Sequence, residues 1–209
     1  MKLHIAPPSP RAIKVVALKN YLGLECEISV LNFSTGDHMT PEFAALNPNK
    51  LMPVLEDDGI VLWESNAILQ YLAAKKPERG MWPSDAKRQA DVLRWMSWEG
   101  AHWAPNGCSI LIRENLLKRI FGGGEPDPAE IARGENEFHR FGGVLDGCLK
   151  GRKWLTGNDL TIADYSVGAW MTVSQLAQYP VAKYTEINRW YNALSSQPGW
   201  KEAVVPPPL

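Results

Sequence analysis

The stretch Met52–Asn66, MPVLEDDGIVLWESN, decides the fold of the first part of this chain. Its apolar run breaks at Pro53 and resumes as a strand, and Asp58-Gly59 is a turn dipeptide typical of a hairpin. A second short strand follows, after which an acid and a hydroxyl open a helix. The stretch therefore predicts a strand–turn–strand–helix unit.

This unit offers two kinds of contact to a small peptide. A strand entered through a proline can leave the backbone of Val54 free to pair with an extended ligand, as in strand addition. The start of the next helix presents Ser65 and free amides to a carboxylate, with Glu64 beside them for an ammonium group. The predicted ligand is a small zwitterionic peptide.

Strand and helix signals alternate through the rest of the first part of the chain. The order is βαβ followed by αββα, which predicts a compact α/β layer domain. Thr40 is the expected N-cap of the second helix, with Pro41 in its first turn. The predicted strands are 3–6, 25–31, 53–56 and 60–62, and the predicted helices are 11–21, 41–46 and 65–75.

Strand signals disappear after a charged, proline-flanked linker at residues 78–83. The fold class is therefore α/β plus all-α, with an α/β domain at 1–77 and an all-α domain at 84–209. We expect Pro105-Asn106-Gly107 to bend or interrupt the first helix of the second domain. The predicted helices are 85–103, capped by Ser84, then 109–121, 161–177 and 185–195. A further helix, after residue 121, is predicted from Asp127 as N-cap and Pro128 at N1, with one face marked by Ile131, Phe138, Phe141, Leu145 and Leu149.

Composition excludes several classes of protein. The 209 residues carry a net charge of −1 with no basic block, which argues against nucleic-acid binding. No apolar run approaches the roughly 20 residues of a membrane span, and no signal-peptide core follows Met1. Cys26, Cys108 and Cys148 are odd in number and widely spaced, so we expect free thiols, no metal site and a cytoplasmic location.

The segment Gly157–Tyr165, GNDLTIADY, predicts a capping box between Thr161 and Asp164. Taken with the Pro53 strand, the acid–serine pair and the α/β-then-α order, the chain resembles the cytosolic glutathione S-transferase family over essentially its whole length. The resemblance implies a thioredoxin-like first domain that binds glutathione and a helical second domain that forms most of the second-substrate pocket. It also implies that Pro53 is cis.

The resemblance places glutathione on several residues of the first domain. Val54, beside Met52 and Pro53, would pair through its backbone with the cysteinyl part, and Glu64 and Ser65 would hold the γ-glutamyl end. For Ser65 the alternative role is a simple helix N-cap, and the two roles are compatible.

Three basic residues are further candidates for binding glutathione. Lys50 and His38 match family positions for the glycyl carboxylate, the alternatives being an ordinary solvated lysine and a surface histidine. Arg11 lies near enough to Ser9 to bind the same anion.

Ser9 is the expected catalytic residue. It is the only hydroxyl residue among the first 20 positions, which contain neither Tyr nor Cys. Ser9-Pro10-Arg11 resembles the start of the first helix in serine-type bacterial, theta, delta and nu-like members, where the hydroxyl stabilises the glutathione thiolate. Arg11 departs from the Asn that related bacterial sequences often carry. The alternative is that Ser9 only caps the helix.

The first helix of the second domain is rich in aromatic residues. Spacings of three and four place Trp95, Trp98 and His102 on one face, with Trp103 adjacent. Core or dimer packing is the better interpretation for at least two of the tryptophans. The functional interpretation is a second-substrate pocket lined by Trp98, His102 and Trp103, its shape depending also on the tail Pro206-Pro207-Pro208-Leu209.

The sequence supports three hypotheses about function. The first is a homodimeric, detoxifying glutathione transferase that attacks a small hydrophobic electrophile with the glutathione thiolate. The second keeps glutathione as the co-substrate but reduces disulfides or peroxides, as nu-like members do without a catalytic cysteine. The third is a non-catalytic interaction module with the same fold.

Overall fold

The computed structural model describes residues 1–204, apart from the side chains of Ile120 and Phe121. The tail at 206–209, named above as a determinant of pocket shape, lies outside the described residues. Contacts divide the chain into two compact units, one of Met1–Trp82 with the segment that begins at Ser196, the other of Pro83–Ser195. The predicted domains, 1–77 and 84–209, stay a prediction; the division by contacts falls between Trp82 and Pro83 and assigns the segment from Ser196 to the first unit.

A four-stranded mixed sheet forms the centre of the first unit. Its strands are β1 (Lys2–Ile5), β2 (Glu27–Val30), β3 (Val54–Asp57) and β4 (Ile60–Trp63), in the order β2-β1-β3-β4. β1 pairs parallel with β2 and antiparallel with β3, and β3 pairs antiparallel with β4. The two central strands bury their side chains, whereas the edge strands β2 and β4 are largely exposed.

The β3–β4 hairpin has the turn that its sequence predicts. Asp58 and Gly59 have φ values of 50° and 82°, and both positions of a type I′ turn need a positive φ. The strand after the turn therefore returns in register, with Asp57 opposite Ile60.

Helices α1 (Pro10–Tyr21), α2 (Pro41–Leu46) and α3 (Ser65–Ala74) complete the α/β part of the first unit. Short 3₁₀ turns occupy Asp37–Met39 and Pro77–Arg79. α1 and α3 pack on each other, and their apolar faces meet the central strands in one core. Its fully buried members are Leu3, Val15, Ala17, Leu18, Leu55, Ile68, Leu69 and Leu72.

The C-terminal segment belongs to the first unit because a short helix, Trp200–Ala203, packs on α1. The side-chain amide of Asn20 donates to the Gly199 carbonyl at 3.1 Å. A Cβ at Gly199 would lie 2.3 Å from Asn20 Cβ, and its φ is +79°, so glycine is required at this contact. Local sequence patterns could not predict this hydrogen bond, because Asn20 and Gly199 are 179 residues apart in the chain.

The second unit is built from helices, and among its described residues the β structure is limited to an isolated bridge between Trp154 and Gly157. Its helices are α4 (Ala86–Trp98), α5 (Ser109–Leu111), α6 (Lys118–Phe121), α7 (Pro128–Leu149), α8 (Ile162–Gly168) and α9 (Thr185–Ser195), and the C-terminal helix Trp200–Ala203 of the first unit is α10. Glu99–Cys108 and Ile112–Leu117 are π-helical, and Ala169–Val173 is a 3₁₀ turn. Of the predicted helix 161–177, only Ile162–Gly168 is α-helical, and a 3₁₀ turn follows it.

The segment Pro105-Asn106-Gly107, predicted to bend or interrupt the first helix, changes the geometry of that helix. The chain stays helical from α4 through Glu99–Cys108, but it widens to π geometry around Pro105. Proline has no N–H to donate and its ring crowds the preceding turn, so a wider turn accommodates it without ending the helix.

Three of the predicted helix caps are confirmed and one is wrong. Thr40 Oγ1 accepts from the Phe43 amide at 3.2 Å, and Asp127 Oδ1 accepts from the Ala129 amide at 2.9 Å. The capping box at the start of α8 is also present. The cap of α4 is Asp85 and not Ser84, because the Asp85 carboxylate accepts from the Arg88 amide.

Asp164 joins the start of α8 to two distant segments. Its carboxylate is fully buried and accepts hydrogen bonds from the amides of Leu155 (2.9 Å) and Thr161 (3.0 Å) and from Trp190 Nε1 (2.8 Å). Burial raises the pKa of this carboxyl to about 6, opposed by the hydrogen bonds that it accepts. The network ties α8 to α9 and to the turn at Leu155.

We expect Asp164→Ala to lower the free energy of unfolding by about 3–5 kcal/mol, because it leaves three buried donors without an acceptor. Asp164→Asn keeps one acceptor oxygen but places an NH₂ donor against one of the N–H donors, so the free energy of unfolding should fall by about 1–3 kcal/mol. Urea denaturation measures both. The matched control is Asp159→Asn, since the exposed Asp159–Arg88 pair should contribute at most about 1 kcal/mol. Equal losses at the two positions would contradict the proposed importance of the network.

Candidate functional site

One cavity of the first unit, with a volume of about 380 Å³, gathers most of the residues that the resemblance assigns to glutathione binding. This volume falls within the range of small-molecule sites. Four segments meet there: the start of α1, the loop after β2, the loop before β3 and the start of α3. The lining residues are Ala6, Ser9, Arg11, Phe33, Asn47, Asn49, Leu51, Met52, Pro53, Glu64 and Ser65.

Ser9 occupies the N-cap position of α1 without using its hydroxyl as a cap. Its backbone is extended, and its carbonyl accepts from the amides of Ala12 (3.0 Å) and Ile13 (2.9 Å). The side chain makes no capping hydrogen bond and lines the cavity. A simple cap therefore does not account for the hydroxyl group of Ser9.

The acid–serine pair begins α3. Glu64 is at the N-cap position with φ 71° and ψ 106°, a conformation that costs a non-glycine residue about 1–3 kcal/mol. Ser65 is the first helical residue and is 6% exposed, so it is not the N-cap that we considered. The first amides of a helix have no partner within it, and here they adjoin a cavity lined by both side chains.

Val54 does not have the free backbone that we predicted. It is 0% exposed, begins β3, and lies in register with both His4 on β1 and Trp63 on β4. The Met52–Pro53 bond is cis, as the resemblance implied, and both residues line the cavity. Because Pro53 has no N–H and the ladder begins only at Val54, Met52 lies outside the ladder.

Asn47 organises the loop before β3, and the sequence analysis missed it. It is 2% exposed, and its amide group donates to the Leu51 carbonyl at 2.7 Å. Its side-chain oxygen accepts from the Asn49 backbone amide at 3.0 Å. These bonds hold Asn49 and Leu51 at the cavity wall. The Asn47-Pro48 dipeptide, typical of a turn, was the available signal.

The two basic residues predicted for the glycyl carboxylate do not line the cavity. Lys50 is half-buried with a φ of 55°, and the His38 ring lies against Phe33 with a centroid separation of 4.3 Å. Phe33 lines the cavity, and Arg11 is the basic residue among those that line it. For Lys50 and His38, contact with a ligand stays a prediction.

The loop that carries Phe33 is held by Asp37. The Asp37 carboxylate accepts from the Thr35 hydroxyl at 2.6 Å and from the Asn32 amide at 2.9 Å. These two hydrogen bonds lower the pKa of Asp37 below its usual value. The carboxylate is therefore engaged with its own loop, and this favours a defined position for Phe33.

The aromatic residues of the second unit divide between core and surface. Trp103 is 0% exposed, and its indole N–H donates to the Val167 carbonyl at 3.3 Å, so it is a core residue and not a pocket wall. Trp95 is also buried. Trp98 is half-buried, and His102 is exposed and stacks on Phe141 with a centroid separation of 5.5 Å. Only Trp98 and His102 remain candidates to contact a second substrate.

The described part of the chain, residues 1–204, has neither a membrane-spanning helix nor a cluster of metal ligands. No helix there is both long and apolar enough to cross a membrane. No group of three or more His, Cys, Asp or Glu side chains is arranged to hold a metal ion in the same part of the chain.

Comparisons with known proteins identify the family of this chain. The family model "Glutathione S-transferase, N-terminal domain" matches residues 1–74, and "Glutathione S-transferase, C-terminal domain" matches residues 111–198. Glutathione S-transferase 3 of Zea mays is 32% identical over 100% of this chain and 95% of its own length. Glutathione S-transferase D7 of Drosophila melanogaster is 30% identical over 93% of this chain and 84% of its own length. The chain belongs to the glutathione S-transferase family.

Solved structures agree in fold. A delta-class glutathione transferase of Nilaparvata lugens is 28% identical with a TM-score of 0.81, covering 97% of this chain and 92% of that one. A glutathione S-transferase of Rhodospirillum rubrum is 26% identical with a TM-score of 0.87, covering 98% of this chain and 92% of that one. The sheet and helices of the first unit are thus thioredoxin-like and are followed by the family's helical domain. The serine-type bacterial subclass stays a prediction.

Asn47→Ala should lower the free energy of unfolding by about 1–3 kcal/mol, because it removes a buried side chain and leaves the Leu51 carbonyl and the Asn49 amide without their partner. Asn158→Ala is the control: its side chain is exposed and lies outside this loop, and we expect a change of at most about 0.5 kcal/mol. Urea denaturation of both variants measures the difference. Similar values would show that Asn47 does not organise the loop.

Proposed function

We propose that this protein is a glutathione transferase that binds glutathione in the cavity of its first unit and activates the thiol for attack on a hydrophobic electrophile. Family membership supports the reaction type. The observation that carries the proposal is the meeting of Ser9, Glu64 and Ser65 in one cavity, with the Ser9 hydroxyl not used as a cap.

The start of α3 matches the zwitterionic end of the tripeptide. The Glu64 carboxylate would accept from the α-ammonium group of the γ-glutamyl residue, while the Ser65 hydroxyl and the first-turn amides would donate to its carboxylate. The backbone of Met52 replaces that of Val54 as the partner of the cysteinyl part. Lys50, His38 and Arg11 are the candidates for the glycyl carboxylate.

The energy needed for thiol activation is within reach of the groups at the start of α1. Lowering a thiol pKa from about 8.5 to about 6.5 requires ~2.7 kcal/mol. A hydrogen bond from the Ser9 hydroxyl to the thiolate contributes ~1.5–3 kcal/mol, and the N-terminus of a helix adds ~0.3–1 kcal/mol. Ser9 thus acts as a donor to the thiolate, not as a nucleophile, and binding both reactants supplies the rest of the rate enhancement.

The remaining parts of the proposal concern the second substrate and the assembly. Trp98 and His102 are proposed to contact a small hydrophobic electrophile, since an apolar, aromatic wall suits such a ligand. We further propose that this protein is a cytoplasmic homodimer with a role in detoxification, as the family resemblance implies.

A redox function is the second candidate. Glutathione transferases of Burkholderia graminis and Pseudomonas fluorescens, each 26% identical to this chain, have solved structures with two glutathione molecules bound. Two glutathione molecules in one site would suit the reduction of a disulfide or peroxide, and no cysteine is among the residues that line the described cavity. Turnover of a glutathione mixed disulfide, compared with that of 1-chloro-2,4-dinitrobenzene, separates the two reactions. Failure to bind glutathione in calorimetry would instead favour a non-catalytic module.

Glu64→Gln and Ser65→Ala should each weaken glutathione binding by about 1.5–3 kcal/mol, the contribution of a hydrogen bond to a charged group. Isothermal titration calorimetry measures the dissociation constants. Glu42→Gln, an exposed acid in the first turn of α2, is the control and should leave affinity unchanged. If both site variants keep wild-type affinity while folded by circular dichroism, the proposed γ-glutamyl site is wrong.

Ser9→Ala should raise the pKa of the bound thiol by about one to two units, since ~1.5–3 kcal/mol of thiolate stabilisation is lost at ~1.36 kcal/mol per unit. Below the new pKa the thiolate fraction, and with it the rate, falls about ten- to hundredfold. At high pH the thiol ionises unaided and much of the rate returns. A pH–rate profile with saturating glutathione tests this, with the exposed Ser34→Ala as control. Coincident Ser9→Ala and wild-type profiles would exclude Ser9 as the thiol-activating group.

A further inference from the structure

Helix α1 contains a buried lysine that the proposed mechanism does not use. Lys14 is 1% exposed, although lysine is almost never fully buried without a partner. Its Nζ donates to Asn66 Oδ1 at 2.7 Å. Burial of an ammonium group costs several kcal/mol before its hydrogen bonds and charge partners offset the loss. Packing alone would be better served by an apolar side chain of similar length.

The position of the Lys14–Asn66 hydrogen bond relates it to the cavity. Asn66 directly follows Ser65 in the first turn of α3. Lys14 lies five residues after Ser9 on α1, little more than one helical turn along the axis. Ser9 and Ser65 both line the cavity. The bond therefore joins the two helices close to the ends that present these two hydroxyl groups.

We infer that Lys14 is a positioning residue for the glutathione site: its bond to Asn66 sets the placement of the α3 start relative to the α1 start. This inference rests on the proposed function, in which Ser65 and the α3 amides hold the γ-glutamyl carboxylate while Ser9 reaches the thiol. One ligand must satisfy both groups at once, so a displacement of one helix end relative to the other weakens both contacts.

The chemistry of the pair suits a positioning role. A hydrogen bond with a charged donor is shorter and stronger than a neutral one, and it resists displacement of the group that it holds. A ligand site built on helix ends needs such support, because catalytic geometry tolerates only about 0.5 Å of error. Glu64, two residues before Asn66, has a positive φ of 71°, and such a backbone conformation persists only when surrounding residues maintain it. Asn66 provides the hydrogen-bond acceptor next to this strained backbone.

The test compares Lys14→Met, Asn66→Leu, the double variant and Lys14→Arg with the wild type. Methionine keeps the flexible apolar stem without the ammonium group, and arginine keeps a cationic donor. Lys19→Met, the same substitution in the last turn of α1, is the matched control. Calorimetry with S-methylglutathione reports on the ends of the tripeptide, and a pH–rate profile with saturating glutathione reports on the thiol.

Lys14→Met and Asn66→Leu should each weaken S-methylglutathione binding about tenfold, as expected when one charge-assisted hydrogen bond is lost. The double variant should bind no more weakly than the weaker single variant, since both changes remove the same interaction. Lys14→Arg should restore affinity to within about threefold of the wild type, a recovery that loss of packing alone would not show. In Lys14→Met the midpoint of the pH–rate profile should also move upward, whereas Lys19→Met should match the wild type.

A merely structural role for Lys14 predicts a different result. Lys14→Met would then lower the melting temperature while its dissociation constant and pH–rate profile match those of the wild type, and the inference would be overturned. If Lys14→Met does not fold, wild-type affinity in Asn66→Leu overturns it equally. Failure of the folded wild type to bind glutathione would refute the proposed function instead, so the two failures are distinguishable.

Discussion

The missing N–H of Pro53 is the constraint on which the arrangement of the first unit depends. A proline cannot donate to a sheet ladder, so β3 begins only at Val54, and Met52 is left outside the sheet. The side chains of Met52 and Val54 pack with Ala6 and Phe43 in a small buried cluster, which fixes the chain behind the cavity. Met52 and Pro53 thereby line the cavity together with residues at the starts of two helices.

Those helix ends carry the polar groups of the site, and each has a locally unfavourable feature. Ser9 gives up the capping bond that its position would allow, and Glu64 adopts a positive φ that costs about 1–3 kcal/mol. The buried Lys14 adds a further desolvation cost next to the start of α3. Unfavourable local features of this kind concentrate at ligand-binding sites. Other parts of the protein supply the compensating stability, such as the hydrogen bonds of Asp164 in the second unit.

Sequence patterns were reliable where one short segment decides the structure. The hairpin turn at Asp58-Gly59 and the caps Thr40 and Asp127 were all predicted, because each depends on backbone sterics and hydrogen bonds within four residues. The site was predicted in part: Ser9 and Ser65 line the cavity, as does Glu64. Phe33, Asn47 and Leu51 were missed, since no local signal tells which face of a loop meets a distant helix end.

The sequence by itself determined the order of strands and helices, the change of composition at the linker, and the family resemblance built on those features. Only the tertiary structure decided that Val54 is buried between two strands, that Trp103 belongs to the core, and that α10 joins the first unit through Gly199. Propensity and capping act between near neighbours along the chain. Burial and side-chain direction depend on segments that are far apart in sequence, such as Lys14 and Asn66, which meet only when the chain has folded.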